Sequence, residues 1–422
     1  MSTSSHESAS ARLLSGVRVL DFGRVLAGPY AARHLSDLGA EVIKIERPVY
    51  GDDTRMDPYI YDDGLSAGFM QLNWGKKSLS IDLRHADAKE IIRKLVAEAD
   101  VVIENFRPGV MTKLGFGYDQ LVEINPSLIM CSVSAYGQTG PYAQRPGYGP
   151  VAEAAAAVPE LSGDPDGAPM PTVLPIADNI ASARALAAIC AALYHRERTG
   201  RGEYIDISLL ESAFQMHDMA VQQYLATGGE VQMTRRGIRD VTWVPWGFFA
   251  VAGEWICIMA GNDSSWRSLA TVMGRDDLLA DPRYADYEGR TRERNVIYGA
   301  VETWCATQPS AEQAVNALVA ASVPAERVNS VAQAVAHPQL EARNMLPRYQ
   351  HPIVGEVRVM NSGITLRNTA SDPRGVAPDL GEHNREILRD ILGLDDAEVD
   401  RLTETGVVFE HPRLARLRDA GS

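Results

Sequence analysis

The stretch PIADNIASARALAAICAALYHRERTGRG, Pro175 to Gly202, combines an alanine-rich helical pattern with one carboxylate near its start, that of Asp178. An ionised carboxylate in a cleft is a competent covalent nucleophile. Aspartate is also favoured at a helix N-cap, where its side chain accepts a hydrogen bond from the backbone. A helix N-terminus favours the ionised form, so the two roles are compatible. The local sequence leaves both open for Asp178.

Basic residues recur in the loops after predicted strands: Arg47 after EVIKIE, Arg84 after SLSIDL, Arg107 after VVIENF, and Lys113 one turn later. Open α/β sheets bind their ligands at the carboxyl ends of the strands. Several cations there could hold the phosphates of a nucleotide. A solvated rim is the alternative for any one of them, but the shared topological place favours an anion-binding site.

Other familiar site patterns are incomplete in this chain. Glu46 ends the first βαβ unit, where a dinucleotide-binding fold keeps its ribose-binding acid, but Gly23 and Gly28 do not form G-x-G-x-x-G. WGKKS lacks the glycine and the hydroxyl residue of a phosphate-binding loop. The chain has neither H-E-x-x-H nor the G-x-S-x-G elbow of serine hydrolases. These patterns disfavour nicotinamide, zinc-protease and serine-hydrolase chemistry.

Composition narrows the class of protein further. The formal net charge of −14 argues against a protein built around nucleic acid. The cysteines, Cys131, Cys190, Cys257 and Cys305, form no C-x-x-C pair and are typical of thiols in a reducing compartment. We therefore expect neither a disulfide framework nor a bound metal.

Alternating strand and helix patterns from Gly16 to Gly137 favour a parallel, doubly wound sheet, and the fold class is α/β. Near residue 228 the pattern changes to an aromatic hairpin, WVPWGFFAVAGEWICIMAG, followed by helices. We predict a large Rossmann-like domain over 13–228, a small α+β domain over 229–336, and a return of 337–422 to the large domain. Short strands are expected around Gly355–Val359 and Ile364–Leu366, and one helix over LESAFQMHDMAVQQYLAT.

The N-terminal MSTSSHESASAR lacks the apolar segment of a signal peptide, and we interpret residues 1–12 as a disordered tail. An uninterrupted apolar run of about 18 residues, which would indicate a membrane span, is also lacking. The expected location is the cytoplasm.

Several long motifs, in order, resemble the class III coenzyme A (CoA) transferases, a family that also contains α-methylacyl-CoA racemases. They are GVRVLDFGRVLAGPYAARHLSDLGAEVIKIERP, NWGKKSLSIDLR, ADVVIENFRPGVMTKLGFGYDQLVEINPSLIMCSVSAYGQTGP and HRERTGRGEYIDISLLES. The resemblance is strong over Leu14–Phe214 and weaker to the C-terminus. It implies a homodimer of two interlocked, ring-like chains that uses acyl-CoA and a small carboxylic acid, with no nucleic acid or membrane partner.

The resemblance also assigns roles to residues. Asp178 matches the aspartate that serves as the nucleophile of the transferases. The residues that match CoA contacts are Leu26, Ala27, Arg47, Ile81, Arg84, Asn105, Phe106, Arg107, Lys113, Gly147 and Tyr148. Leu26 stands where many transferases have glutamine, which removes one polar contact.

The segment after G-x-T-G-P separates the two activities of the family. Racemases have histidine followed by aspartate there, whereas this chain has Tyr148 and Gly149. A phenol with a pKa near ~10 is a poor base at neutral pH, so transfer chemistry is favoured. Racemase activity and non-catalytic acyl-CoA binding are the alternatives to transfer chemistry. Separately, the loop at Gly261-Asn262 is a candidate lid over the site.

Overall fold

The computed structural model describes residues 12–61 and 64–421. The predicted tail, apart from its last residue, lies outside the described residues. The strands are β1 (Arg18–Asp21), β2 (Glu41–Glu46), β3 (Lys77–Ser80), β4 (Val101–Glu104), β5 (Ile129–Ser134), β6 (Glu203–Ser208), β7 (Trp246–Val251), β8 (Glu254–Met259), β9 (Ala325–Arg327), β10 (Arg348–His351) and β11 (Gly355–Arg358).

The helices are α1 (Ala27–Asp37), α2 (Ala67–Asn73), α3 (Ala86–Ala97), α4 (Val110–Leu114), α5 (Tyr118–Val122), α6 (Gly149–Ala155), α7 (Ile176–Thr199), α8 (Leu209–Phe214), α9 (Asp218–Ala226), α10 (Asp263–Val272), α11 (Asp276–Ala280), α12 (Tyr287–Arg292), α13 (Arg294–Ala306), α14 (Ala311–Ala320), α15 (Val331–Val335), α16 (Pro338–Ala342), α17 (Asn384–Glu386), α18 (Asp396–Glu404) and α19 (Pro412–Gly421). Short 3₁₀ turns lie at Asp53–Met56, Pro159–Leu161 and Pro282–Tyr284, and a π turn at Ile387–Ile391.

Six parallel strands form the central sheet in the order β3-β2-β1-β4-β5-β6. Strands such as VVIE of β4 are buried along their length because both sheet faces are covered. The strand order reverses between β1 and β4, where α/β sheets open a crevice for ligands. The predicted α/β class with a parallel sheet is confirmed.

Contacts between residues divide the chain into two units. The first unit consists of the chain up to Ala156, Val173–Asp218 and the segment from Gln339 onward; the second consists of Ala157–Thr172 and Met219–Pro338. The sequence analysis had assigned 157–172 and 219–228 to the large domain. The C-terminal segment completes the core of the first unit, where Ile387, Leu388 and Val408 join the cluster that contains Leu79 and Ile81.

The second unit has its own core, on one face of the antiparallel sheet β7-β8-β9. Phe249 and Ile256, paired across β7 and β8, pack with residues of α10, α13 and α14. Buried Arg290 donates to the Gly261 carbonyl at 2.9 Å, and Asn262 caps α10 by accepting from the Ser265 N–H. The loop proposed as a lid therefore serves as a helix cap.

Two local predictions were wrong. The segment Ile364–Leu366 forms no strand; it lies in an irregular stretch after β11. The single helix expected over LESAFQMHDMAVQQYLAT is broken into α8 and α9 by a turn at Gln215–His217. At this turn His217 Nε2 lies 2.5 Å from the Ala156 carbonyl oxygen, a tertiary contact that helical periodicity does not reveal.

Helix α7 is long and apolar enough to cross a membrane, judged by length and composition alone, with a mean hydropathy of 1.4. Core helices of soluble proteins pass the same test. Here the helix packs against α1, α8 and β6 along a line of buried residues that includes Ala181, Ala185 and Ile189. Its alanines allow this close approach.

Buried charges support the loops after β1 and β2. The Lys44 ammonium lies 2.9 Å from Asp52 Oδ2 and donates to the Gly23 carbonyl at 2.9 Å. Lys76 Nζ lies 2.7 Å from Asp21 Oδ2, and Asp21 Oδ1 accepts from the Gly23 N–H. The four charged side chains are fully buried.

A second buried pair extends this network. Glu46 accepts from Arg55 at 2.7 and 2.8 Å, from the Ser78 hydroxyl at 2.7 Å and from the Asp52 N–H at 3.0 Å. Burial opposes ionisation of Asp52, but the charge of Lys44 and hydrogen bonds from Thr54 lower its pKa to about 2. Three carboxylates and three cations thus balance inside the unit, and we call these six residues the buried charge network.

Replacing Lys44 with methionine should destabilise the protein strongly, because buried Asp52 loses its counter-charge and Asp21 keeps only Lys76. The expected loss in the free energy of unfolding is about 3–5 kcal/mol, measured by urea denaturation. Lys89→Met, on the exposed face of α3, is the matched control and should unfold like the unaltered protein. Equal midpoints for the two variants would contradict a structural role for the network.

Candidate functional site

A cavity of about 520 Å³ opens at the carboxyl ends of β1, β2, β3 and β4. Its walls come from the loops after these strands, including Phe22–Arg24, Glu46–Asp52 and Ile81–Arg84. This is the crevice that the reversal of strand order creates. Its volume and its basic rim suit a nucleotide.

The predicted CoA contacts fall into two groups. Arg47, Ile81, Arg84 and Phe106 line the cavity. The remaining ones, which do not line it, are Leu26, Ala27, Asn105, Arg107, Lys113, Gly147 and Tyr148. Arg107 and Lys113 are exposed near the carboxyl end of β4. The topological argument from strand ends therefore found part of the cavity wall.

Arg24 was missed, although it follows β1 just as Arg47 follows β2. Its guanidinium Nη2 contacts Asp53 Oδ2, and Arg47 Nη2 lies 2.6 Å from Asp53 Oδ1. Arg24 and Arg47 both line the cavity. The rule that found Arg47 could also have found Arg24, because Arg24 is a basic residue in the loop after a predicted strand. The shared acid, Asp53, could be located only from the structure.

Two valines in this region have left-handed backbone conformations. Val25 has φ 64° and Val49 has φ 68°, values that β-branched residues rarely adopt. Asp52 Oδ1 accepts from the Val25 N–H at 3.2 Å, so the buried charge network holds one of them. Strained backbone of this kind concentrates at ligand sites.

Asn105 fixes the loop between β1 and α1. Its side chain accepts from the Arg24 N–H and donates to the Arg24 carbonyl, both at 2.7 Å. With both ends of its amide engaged, Asn105 positions Arg24. Glu104, the preceding residue, accepts from the Phe106 N–H at 2.7 Å.

The same loop leads from the cavity to Asp178. It ends at Ala27, the first residue of α1, whose carbonyl accepts from the Ser182 hydroxyl at 2.8 Å. Ser182 also donates to the carbonyl of Asp178, one turn earlier in α7. Ala27 therefore lies beside the start of α7, near Asp178, and does not line the cavity.

Asp178 is the third residue of α7, and Pro175 is the N-cap residue. The interpretation of Asp178 as an N-cap is therefore wrong. Pro175 begins the helix three residues before Asp178, which places the carboxylate in the first turn, where it accepts a hydrogen bond from its own backbone N–H. A carboxylate in that turn is stabilised by the helix dipole.

Burial raises the pKa of the Asp178 carboxyl to about 6, with a further contribution from the negative charge of Glu153. Glu153, in α6, is buried and accepts from the Ala177 N–H at 3.0 Å. The site thus holds a carboxylate that is poorly solvated yet ionised at neutral pH. Such a group is more nucleophilic than an exposed one.

Gly149, at the start of α6, packs directly on the Asp178 carboxylate. A side-chain carbon at this position would overlap Asp178 Oδ2. Gly147 is similarly restricted, because an added carbon would lie 2.7 Å from the Ala135 methyl group. Tyr148, between them, is exposed. Gly149, which the sequence analysis treated only as a missing acid, is therefore what makes room for Asp178.

Glu46 stands at the position of a ribose-binding acid, but its carboxylate is already engaged by other groups of the protein. Both of its carboxylate oxygens are used by Arg55, Ser78 and the Asp52 N–H. The position at the end of β2 is the same as in dinucleotide-binding folds, but here the acid belongs to the buried charge network.

Residues 14–384 match CoA-transferase family III. The chain is 34% identical over 398 residues to the succinyl-CoA–L-malate CoA-transferase β subunit of Chloroflexus aurantiacus, covering 94% of this chain and 98% of the relative. It is 31% identical over 400 residues to human succinyl-CoA:glutarate CoA-transferase, covering 94% of this chain and 90% of that protein.

Solved structures agree with these matches. A CaiB/BaiF family protein from Brucella suis has a TM-score of 0.79 at 34% identity, covering 90% of this chain and all of that one. A Mycobacterium tuberculosis protein has a TM-score of 0.80 at 30% identity, also covering 90% of this chain and 100% of that one. Sequence and fold together place this chain in CoA-transferase family III, and it is a CoA-transferase.

Proposed function

We propose that Asp178 is the nucleophile of this transferase and that the cavity after β1–β4 holds the nucleotide of CoA. The observation that carries the proposal is the Asp178 carboxylate itself, half-buried in the first turn of α7 with a pKa of about 6. The loop from Gly23 to Ala27 connects it to the cavity.

The first half-reaction consists of two substitutions. An oxygen of the Asp178 carboxylate attacks the thioester carbonyl of the donor, the C–S bond breaks, and CoA leaves as a thiolate. The thiolate then attacks the aspartyl carbonyl of the mixed anhydride and releases the donor as a free carboxylate. The product on the protein is an aspartyl-CoA thioester.

The second half-reaction repeats these steps in reverse with the acceptor acid. The acceptor carboxylate attacks the aspartyl thioester, which gives a new anhydride and the CoA thiolate. The thiolate then attacks the acceptor carbonyl and restores the carboxylate of Asp178. Each step exchanges one activated acyl bond for another, so no ATP is consumed. Water must be kept away from the anhydride, and burial of Asp178 serves this purpose.

For the nucleotide, the cavity offers Arg24, Arg47 and Arg84. Guanidinium groups bind phosphate oxygens in pairs and keep their charge at all relevant pH values. Exposed Arg107 and Lys113 extend this positive edge along β4 and are available to the same ligand.

For the donor we propose succinyl-CoA, and for the acceptor a short dicarboxylic acid. The relatives described above are named for succinyl-CoA with malate or glutarate. A second carboxylate on the acyl group needs a cation, and Arg145 provides an exposed one in the segment that leads to Gly149. Its guanidinium stacks on the Tyr142 ring at 3.4 Å.

For the assembly we propose the interlocked homodimer of the family, in the cytoplasm. Val173 and Leu174, immediately before the N-cap of α7, are 99% and 70% exposed. Large apolar side chains beside a nucleophile that must stay dry are suited to being covered by a second chain. The dimer would then complete the environment of Asp178.

Asp178→Asn should lower the exchange of label between succinyl-CoA and free succinate by at least about a thousandfold, because an amide cannot form the anhydride. Hydroxylamine added during turnover should convert Asp178 of the unaltered protein to a hydroxamate, seen by mass spectrometry. Asp119→Asn, in exposed α5, is the control. Full exchange by the Asp178 variant would exclude covalent catalysis by this residue.

The same preparations separate the alternative activities. Uptake of deuterium at the α-carbon of an α-methylacyl-CoA in heavy water, without CoA exchange, would indicate a racemase. Binding of CoA with neither label exchange nor hydroxamate would indicate a non-catalytic binding protein.

Activity should rise with pH through a midpoint near the Asp178 pKa of about 6, because the carboxyl is protonated below it and ionised above it. Glu153→Gln removes the negative charge that raises this pKa, so the acid limb of kcat/KM should move to lower pH. Exposed Glu123→Gln should leave the limb in place. An acid limb at the same pH in the Glu153→Gln variant would contradict the effect of the Glu153 charge on the pKa of Asp178.

Gly149→Ala should lower kcat by at least about a hundredfold while the protein remains folded, because the added methyl group displaces the Asp178 carboxylate. Gly299→Ala, in α13 with open space around the position, is the matched control. Circular dichroism and label exchange are the two measurements. Normal kcat in the Gly149 variant would show that the carboxylate position is not critical.

A further inference from the structure

We propose that Asp53 and a phosphate group of CoA compete for the same two guanidinium groups, those of Arg24 and Arg47; this rests on the proposed function of the cavity. The carboxylate of Asp53 uses one oxygen for each arginine, Oδ2 for Arg24 and Oδ1 for Arg47. Two arginines that converge on one anion form the geometry with which proteins bind phosphate.

Both arginines are anchored independently of Asp53. Asn105 holds the backbone of Arg24 through two hydrogen bonds of 2.7 Å. Arg47 Nε donates to the Gly51 carbonyl at 3.0 Å, and its guanidinium lies 5.6 Å from the centre of the Tyr50 ring. The backbone of Arg24 and the guanidinium of Arg47 are therefore held by contacts that do not involve Asp53.

The ion pairs with Asp53 are also accessible. The exposed side-chain fractions are 42% for Arg24, 46% for Arg47 and 38% for Asp53. Exposed ion pairs contribute little to stability, so replacing one is inexpensive. Arg24 Nε has no hydrogen-bond partner among residues 12–61 and 64–421 and is buried, which leaves a further donor at this place.

Asp52, the residue before Asp53, is held much more firmly than Asp53. Asp52 is fully buried, pairs with Lys44 and caps the 3₁₀ turn by accepting from the Thr54 N–H. Asp52 is thus fixed in the buried charge network, whereas Asp53, one residue later, faces the cavity arginines. The 3′-phosphate and the whole pyrophosphate of CoA each carry up to two negative charges, against one for a carboxylate, and either can accept from both guanidinium groups at once.

The consequence is a limit on affinity. CoA has to displace the Asp53 carboxylate when it binds, and Asp53 returns to the arginines when the product ester leaves. The competition weakens the binding of every CoA species alike and speeds product release. Faster release of the product raises turnover in an enzyme that must release one CoA ester in each cycle.

Asp53→Asn tests the proposal, because asparagine keeps the size and loses the charge. Titration calorimetry with CoA should give a dissociation constant about five- to tenfold lower than for the unaltered protein. The affinity should also fall more steeply with KCl, since two unpaired cations now meet the ligand. Asp53→Glu keeps the charge and should bind CoA within about twofold of the unaltered protein.

Repeating the titration with 3′-dephospho-CoA identifies the phosphate that takes the place of Asp53. A gain that persists assigns the pyrophosphate, and a gain that disappears assigns the 3′-phosphate. Glu398→Gln removes an exposed carboxylate that pairs with Arg401 and does not line the cavity, and it should leave CoA affinity unchanged.

Unchanged or weaker CoA binding by folded Asp53→Asn would overturn the competition, and so would an equal gain in the Glu398 control. Failure of the proposed function looks different, because the unaltered protein would then bind no CoA or the Asp178→Asn variant would keep full exchange. The two failures are therefore distinguishable in one set of titrations and exchange assays.

Discussion

The buried ion pairs of Lys44 with Asp52 and of Lys76 with Asp21 are the constraint on which the site depends. Burying a charge is costly unless an opposite charge and hydrogen bonds compensate it, so each partner fixes the others. Through the Gly23 N–H and carbonyl and the Val25 N–H, these ions hold the loop after β1 in a strained conformation. The part of the cavity wall that carries Arg24 is therefore held in one conformation by buried groups.

The loop after β1 connects two parts of the site. One end carries Arg24 at the nucleotide cavity, and the other carries Ala27, bound to Ser182 beside Asp178. Under the proposed function, the loop therefore connects recognition of the nucleotide with positioning of the nucleophile. Gly149 completes the arrangement by leaving the carboxylate space, and burial supplies the raised pKa that keeps it reactive.

Periodicity predicted the parallel sheet because its strands are continuous apolar runs and its helices carry one apolar face. Counting cations after strands then found Arg47 and Arg84 at the cavity. The contacts of Asp53 with Arg24 and of Gly149 with Asp178 could not be predicted, since each joins separate elements of the chain that meet only after folding. The N-cap role, one of the two left open for Asp178, was wrong because Pro175, with its fixed φ, begins the helix earlier.

The first unit is assembled from separated stretches of the chain, and the last of them begins at Gln339. Ile387, Leu388 and Val408 pack on the same cluster as Leu79 of β3, at the edge of the sheet. During synthesis on the ribosome this apolar edge stays uncovered until the final segment has emerged. The nascent chain therefore exposes the β3 edge until this segment has been synthesised, and unpaired strand edges with exposed apolar surface are prone to aggregate.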